Sequence, residues 1–146
     1  MIQYVRNDKE ENLAIIIRNN HNSEGVEFIT PSDYSQQLAY MKHVKGKKID
    51  AHVHNKVDRK LINTQEVLLI KKGVLRVDFY GDDKVYRFSD LLYAGDVILL
   101  ASGGHGFQVI EDVEMIEVKQ GPYSGEQDKT RFEGVSDTNV IMKEME

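Results

Sequence analysis

The chain has 146 residues, a formal net charge of −5 at pH 7 and no cysteine. This length fits one domain that buries roughly 70% of the surface of its unfolded chain, and the missing cysteines exclude disulfides, thiolate metal sites and cysteine nucleophiles. An acidic chain is a poor candidate for nucleic-acid binding, because phosphate contacts need clustered Lys and Arg. The most basic run, "KHVKGKK" at residues 42–48, is interpreted as a solvated turn.

The first residues carry charges where a signal peptide needs an apolar core. The longest apolar runs, "LAIII" and "VILLA", are too short to cross a bilayer. The sequence therefore predicts a cytoplasmic protein without a membrane partner.

Short apolar or alternating runs separated by Gly, Asn and Asp follow one another along the chain, and ten of them predict strands. In chain order they are "NLAIIIR", "GVEFIT", "QLAYMKHV", "KIDAHVH", "QEVLLIKKG", "VLRVDFY", "VYRF", "GDVILLA", "GFQVI" and "EMIEVKQ". The turn residues Gly81, Asp82 and Asp83 predict a hairpin. No amphipathic helix longer than two turns is predicted, so the fold class is all-β, a sandwich or a barrel.

The predicted organisation is one domain in three parts. N-terminal strands at 1–36 pack on the barrel or on a partner subunit, the barrel occupies 37–123, and a polar tail at 124–146 ends in a short helix near 140–145. The consecutive apolar residues of "LAIII" suggest a strand buried on both faces. Pairing with a partner's sheet would also remove an exposed edge.

Two histidines in "KIDAHVH" are spaced so that they share one face of a strand. His52 and His54 would project together, opposite Ile49, Ala51 and Val53. Taken alone, the pair also fits the wet side of a half-buried strand.

Glu66 and His105 change this assessment, because each opens a run with an apolar inward face, where an unpaired charge is costly. If the strands lie side by side in a barrel, all four side chains converge in its mouth. Imidazole and carboxylate suit Zn, Fe, Mn, Ni or Cu.

The pattern Gly46-x5-His52-x-His54 followed by Glu66-x6-Gly73 resembles the first conserved motif of the cupins, and "GDVILLASGGHGF" is similar to the second. The resemblance covers residues 37–120. It implies a cupin-type jelly-roll barrel, a double-stranded β-helix. It also implies one divalent metal ion (Zn, Fe, Mn or Ni) bound by His52, His54, Glu66 and His105. In the resembled family the N-terminal strands often pair with a partner's sheet, so we also predict a homodimer.

The chain departs from the family pattern in three places. Eleven residues separate the second histidine from Glu66, and Asp58 stands at the usual shorter spacing, so Asp58 is a rival ligand. Glu66 is preferred because its distance to Gly73 fits, whereas Asp58 lies among basic residues. Ala101 replaces the usual proline ahead of His105, which arrives one residue early. The family's trailing asparagine falls on Val109.

Whether the protein is an enzyme stays open. The resemblance fits a metal-dependent isomerase or epimerase of a small sugar-like or oxo-acid substrate, in which the ion acts as a Lewis acid. Alternatives are a non-catalytic small-molecule-binding or sensor protein, an iron-dependent dioxygenase, and a structural remnant whose metal only reinforces the barrel. No catalytic residue is assigned. Tyr40, His43 and Tyr80 are the candidate residues for binding a small-molecule ligand.

Overall fold

The structure is a computed structural model and describes residues 1–143. The chain forms two compact units. The first combines Met1–His21 with the chain from Thr64 onward, and the second comprises Asn22–Asn63. No helix in the described part of the chain is long and apolar enough to cross a membrane.

The first unit is one strongly curled antiparallel sheet that forms a half-barrel, so the predicted all-β fold class is confirmed. Its six strands are β1 (Ile2–Arg6), β2 (Asn12–Ile17), β5 (Glu66–Tyr80), β6 (Tyr86–Tyr93), β7 (Val97–Leu100) and β8 (Gly104–Lys119). The strand order is β1-β2-β7-β5-β6, and β8 pairs with β5 along its whole length. On its other edge, β5 pairs first with β7 and then with β6.

The long strands β5 and β8 bend near Gly73, where the β5–β8 register shifts three times between Ile70 and Leu75. Gly73 has a φ of +81°, and a Cβ there would lie 2.0 Å from the carbonyl oxygen of Asp112. Only glycine fits this close approach without strain. The bend lets the two halves of β5 contribute to one core.

The core lies on the inner face of the curled sheet. It is built from buried aliphatic side chains and one phenylalanine: Val5, Leu13, Ala14, Ile16, Leu68, Ile70, Leu75, Val77, Phe79, Leu92, Ile98 and Leu100. All of "LAIII" is buried within the chain, because β2 lies between β1 and β7. Strands of the same chain thus account for this burial, and no partner subunit is needed to explain it. The homodimer stays a prediction.

The tail after residue 123 is polar, as predicted, and it packs on the sheet. The Ser89 amide of edge strand β6 donates to the Ile141 carbonyl, and the Lys143 amide donates to the Ser89 carbonyl. Short 3-10 helices span Gly125–Asp128 and Asp137–Asn139. Residues 140–143 are not helical, and the rest of the predicted terminal helix lies outside the described residues.

The second unit contains a two-stranded antiparallel sheet, β3 (Gly25–Phe28) with β4 (Ala39–Lys42). The chain from 43 to 63 contains no strand, and nearly all of it is exposed. The strand predicted at "KIDAHVH" is therefore wrong in this structure. Its alternation satisfies the side-chain pattern of a strand, but its backbone has no ladder partner among the described residues.

Most other predicted strands are present with shifted bounds. "QEVLLIKKG" and "VLRVDFY" form the single strand β5, while "GFQVI" and "EMIEVKQ" form β8. The hairpin at Gly81–Asp83 joins β5 to β6 as predicted. Strand β1 was missed, because "IQYVR" is short and mixed in polarity.

Candidate metal centre

Glu66 and His105 lie together on the inner face of the half-barrel. Glu66 begins β5 and is only 6% exposed, while His105 lies near the start of β8, opposite Phe79 at the far end of β5. The bend in both strands brings these ends face to face. Glu66 Oε2 is 3.1 Å from His105 Nε2, so the structure brings together two of the four predicted ligands.

A lysine completes this cluster. Lys119 is the cross-strand partner of Glu66, and its Nζ lies 3.6 Å from Glu66 Oε1. The hydrogen bond from His105 lowers the pKa of Glu66 against the opposing effect of burial, and the charges of His105, Lys119 and Lys129 lower it further. Glu66 is therefore a carboxylate at neutral pH despite its burial.

His52 and His54 lie in the second unit, in the exposed stretch without regular structure. Their rings are in edge contact, with centroids 5.2 Å apart. His52 Nδ1 is 2.9 Å from the carbonyl oxygen of Asp50. In the Nδ1–H tautomer this bond leaves the Nε2 lone pair free, which is the usual arrangement for a metal-binding imidazole.

The rival ligand Asp58 lies in the same exposed stretch. Tyr40 belongs to β4, opposite Glu27, and His43 follows the end of that strand. Both belong to the second unit. Their roles in ligand binding stay predictions.

Tyr80 ends β5 on the face opposite to Phe79 and His105, because side chains alternate along a strand. It is buried, its hydroxyl accepts a hydrogen bond of 2.9 Å from the Val135 amide, and its ring packs on Phe132. The Tyr80 side chain therefore holds the tail against β5. The predicted contact of Tyr80 with a ligand stays a prediction.

Among residues 1–143, the structure contains no group of three or more His, Asp or Glu side chains that could hold a metal ion. The full four-ligand set therefore stays a prediction. The chain matches no family model, no curated protein and no solved structure. The fold and the site thus define a β half-barrel protein in which the buried Glu66 carboxylate lies beside the partly exposed side chains of His105 and Lys119.

Sequence reasoning missed Lys119 and a buried charge network. Lys119 lies in the last predicted strand run, but only the β5–β8 register shows that it faces Glu66. In the network, the Arg18 guanidinium contacts Asp90 at 2.8 Å and Asp96 at 3.0 Å. Asp96 also accepts hydrogen bonds from the Asn19 and Tyr93 amides. These groups satisfy one another, so the network is structural.

Proposed function

We propose that the protein is a metal-binding protein of the cupin type, with one divalent ion held by Glu66, His105, His52 and His54. The observation that carries this proposal is the 3.1 Å separation of Glu66 Oε2 and His105 Nε2. Two ligand atoms bound about 2.1 Å from one ion at roughly a right angle are about 3.0 Å apart. The pair therefore has the spacing of two adjacent ligands.

The surroundings of the pair also support the proposal. The side chain of Glu66 is held as a carboxylate, the form that binds metal. The curled antiparallel sheet is compatible with a jelly-roll barrel. Imidazole and carboxylate ligands suit Zn, Fe, Mn or Ni, and the missing thiolates argue against a closed structural zinc site of the cysteine type.

The histidine pair of the second unit supplies the remaining ligands in this proposal. The contact between His52 Nδ1 and the Asp50 carbonyl orients one imidazole, and the 5.2 Å ring separation keeps the second within reach of the same ion. The proposal requires both imidazoles to reach the ion bound by Glu66 and His105. Metal binding in solution tests that requirement directly.

Lys119 favours a candidate activity within this proposal. Its ammonium group lies beside one carboxylate oxygen of Glu66, so a ligand that approached the ion at this point would meet a positive charge. An oxo acid or another small anionic substrate would be attracted, whereas a neutral sugar would gain less. Within the proposed isomerase or epimerase activity, we therefore favour an oxo-acid substrate over a neutral sugar.

The test is a metal titration of chelator-treated protein, with Zn²⁺, Mn²⁺, Ni²⁺ and, under anaerobic conditions, Fe²⁺. We expect one equivalent to bind, and the affinity to fall at least about 100-fold in His105→Ala and in His52→Ala, since each loses a ligand. His21→Ala is the matched control, because His21 lies in a polar loop. Equal affinity in all four proteins would contradict the proposal.

A further inference from the structure

One edge of strand β8 has no ladder partner in the part of the chain that the structure describes. Among residues 1–143 its only ladder is with β5, although it is 16 residues long. Its exposed apolar side chains lie on both faces: Phe107, Val109, Ile110, Met115, Ile116 and Val118. A long, apolar, unpaired edge normally pairs with another strand or is blocked by charges and bulges.

The chain also contains a stretch with the opposite character, residues 44–62, which we call the basic segment. It is exposed throughout and contains no strand. Its apolar side chains are exposed to solvent, with Val53 87% exposed and Ile62 82% exposed. Alternation of apolar and polar residues from 49 to 54 is nevertheless the pattern of a strand.

The charges of the two elements are complementary. Four exposed acids lie on β8, at Glu111, Asp112, Glu114 and Glu117. The basic segment contains six cations against two acids, at Lys45, Lys47, Lys48, Lys56, Arg59 and Lys60. Antiparallel pairing of one β8 with a second β8 would instead place acids near acids, which destabilises a ladder.

We propose that the free edge of β8 binds the basic segment of a second copy of this chain, and that the exchange is reciprocal. The added strand would satisfy the open backbone groups of β8 by β-augmentation. A reciprocal exchange closes a two-fold dimer in which each copy gives and receives one segment. This interface differs from the N-terminal one suggested by "LAIII", whose residues are buried within the chain.

The exchange has a consequence for the proposed metal site, and this consequence alone rests on the proposed function. His52 and His54 lie within the basic segment, and His105 lies on β8. Pairing would bring the imidazoles of one copy to the strand that holds His105 of the other. Each metal site would then be incomplete without the second copy.

Charge reversal on either side tests the exchange without knowledge of the strand register. One variant carries Glu111→Lys and Glu114→Lys, and the other carries Lys47→Glu and Lys48→Glu. We expect wild type to be a dimer by light scattering at micromolar concentration. Each variant alone should dimerise at least about 10-fold more weakly, because like charges then face each other.

An equimolar mixture of the two variants should recover the dimer, because each contact then joins opposite charges. A control variant with Asp82→Lys and Glu133→Lys, both at exposed positions outside the two elements, should dimerise like wild type. Circular dichroism checks that each variant is folded. A monomeric wild type, or a folded mixture as weak as its components, would overturn the exchange. If the wild-type protein were monomeric and still bound one metal ion, the exchange would be wrong and the proposed function would be retained.

Discussion

Lys119 and Glu66 are direct cross-strand partners at one end of the β5–β8 ladder, with Nζ and Oε1 3.6 Å apart. The lysine occupies one side of the carboxylate, and His105 occupies the other. A bound cation would therefore have to compete with the ammonium group for the charge of Glu66.

Lys119→Met should raise the affinity for a divalent ion by roughly 10-fold, because a positive charge a few ångströms from the ion is removed. A competition titration against a chromophoric chelator measures the change. Lys71→Met is the matched control, since Lys71 is an exposed lysine elsewhere on β5. Unchanged or weaker binding in Lys119→Met would show that the ammonium group does not oppose the ion.

Glu66 should make the stability of the metal-free protein depend on pH. Its pKa is lowered in the folded state, chiefly by the hydrogen bond from His105. The stabilisation is therefore complete above the unfolded pKa of about 4.3 and is lost as the pH falls through the lower folded pKa. The free energy of unfolding of wild type, relative to Glu66→Gln, should shrink below about pH 4.3.

Urea denaturation in the presence of a chelator, repeated across this pH range, measures that difference. The exposed residue Glu133 supplies the control Glu133→Gln, which removes a carboxylate outside this cluster. A difference for Glu66→Gln that grows on acidification would contradict the assigned interaction.

Gly73→Ala should destabilise the fold by about 3 kcal/mol or more, because the new Cβ adds an overlap with the Asp112 carbonyl oxygen to a strained positive φ. Gly125→Ala is the control: Gly125 also has a positive φ, but a Cβ there meets nothing within 4 Å. Its cost should be about 1 kcal/mol. If urea denaturation showed the same loss of unfolding free energy for both substitutions, the bend in β5 would not require glycine at position 73.

Arg18→Met should cost about 3–5 kcal/mol, because it leaves the buried carboxylates of Asp90 and Asp96 without their cation. Asp90→Asn in the same chain should recover part of the loss by removing one of these charges. The exposed pair of Arg131 with Glu126 provides the contrast, since solvent screens both charges and Arg131→Met should cost far less than Arg18→Met. Similar losses at both arginines would argue against burial as the cause.

The sequence predicted the strands of the half-barrel well where pattern and turn chemistry agree. Alternation around residues 66–80, with Gly81 and Asp82 at a turn, is enough to predict the β5–β6 hairpin. The bend at Gly73 was harder to predict from the sequence. A glycine between two apolar runs indicates a turn as readily as a bent strand, and only the approach of Asp112 distinguishes the two.

The candidate site was predictable in part. Placing Glu66 and His105 at the ends of inward faces was sufficient to predict their approach, because buried polar groups must pair. The alternation around His52 predicted a strand that the structure lacks, since alternation specifies which side chains share a face but does not supply a neighbouring strand. Lys119 was not predictable, because its position opposite Glu66 depends on a register set by the bulges of β5 and β8.

The most direct test of the central claim is X-ray absorption spectroscopy of wild-type protein loaded with one equivalent of Zn²⁺. Multiple-scattering features of imidazole count the histidine ligands. The account predicts three imidazoles and one oxygen ligand from the protein in wild type, and two imidazoles in His105→Ala and in His52→Ala. A wild-type ion bound by fewer than three imidazoles, or spectra that neither substitution changes, would contradict a metal centre built from these residues.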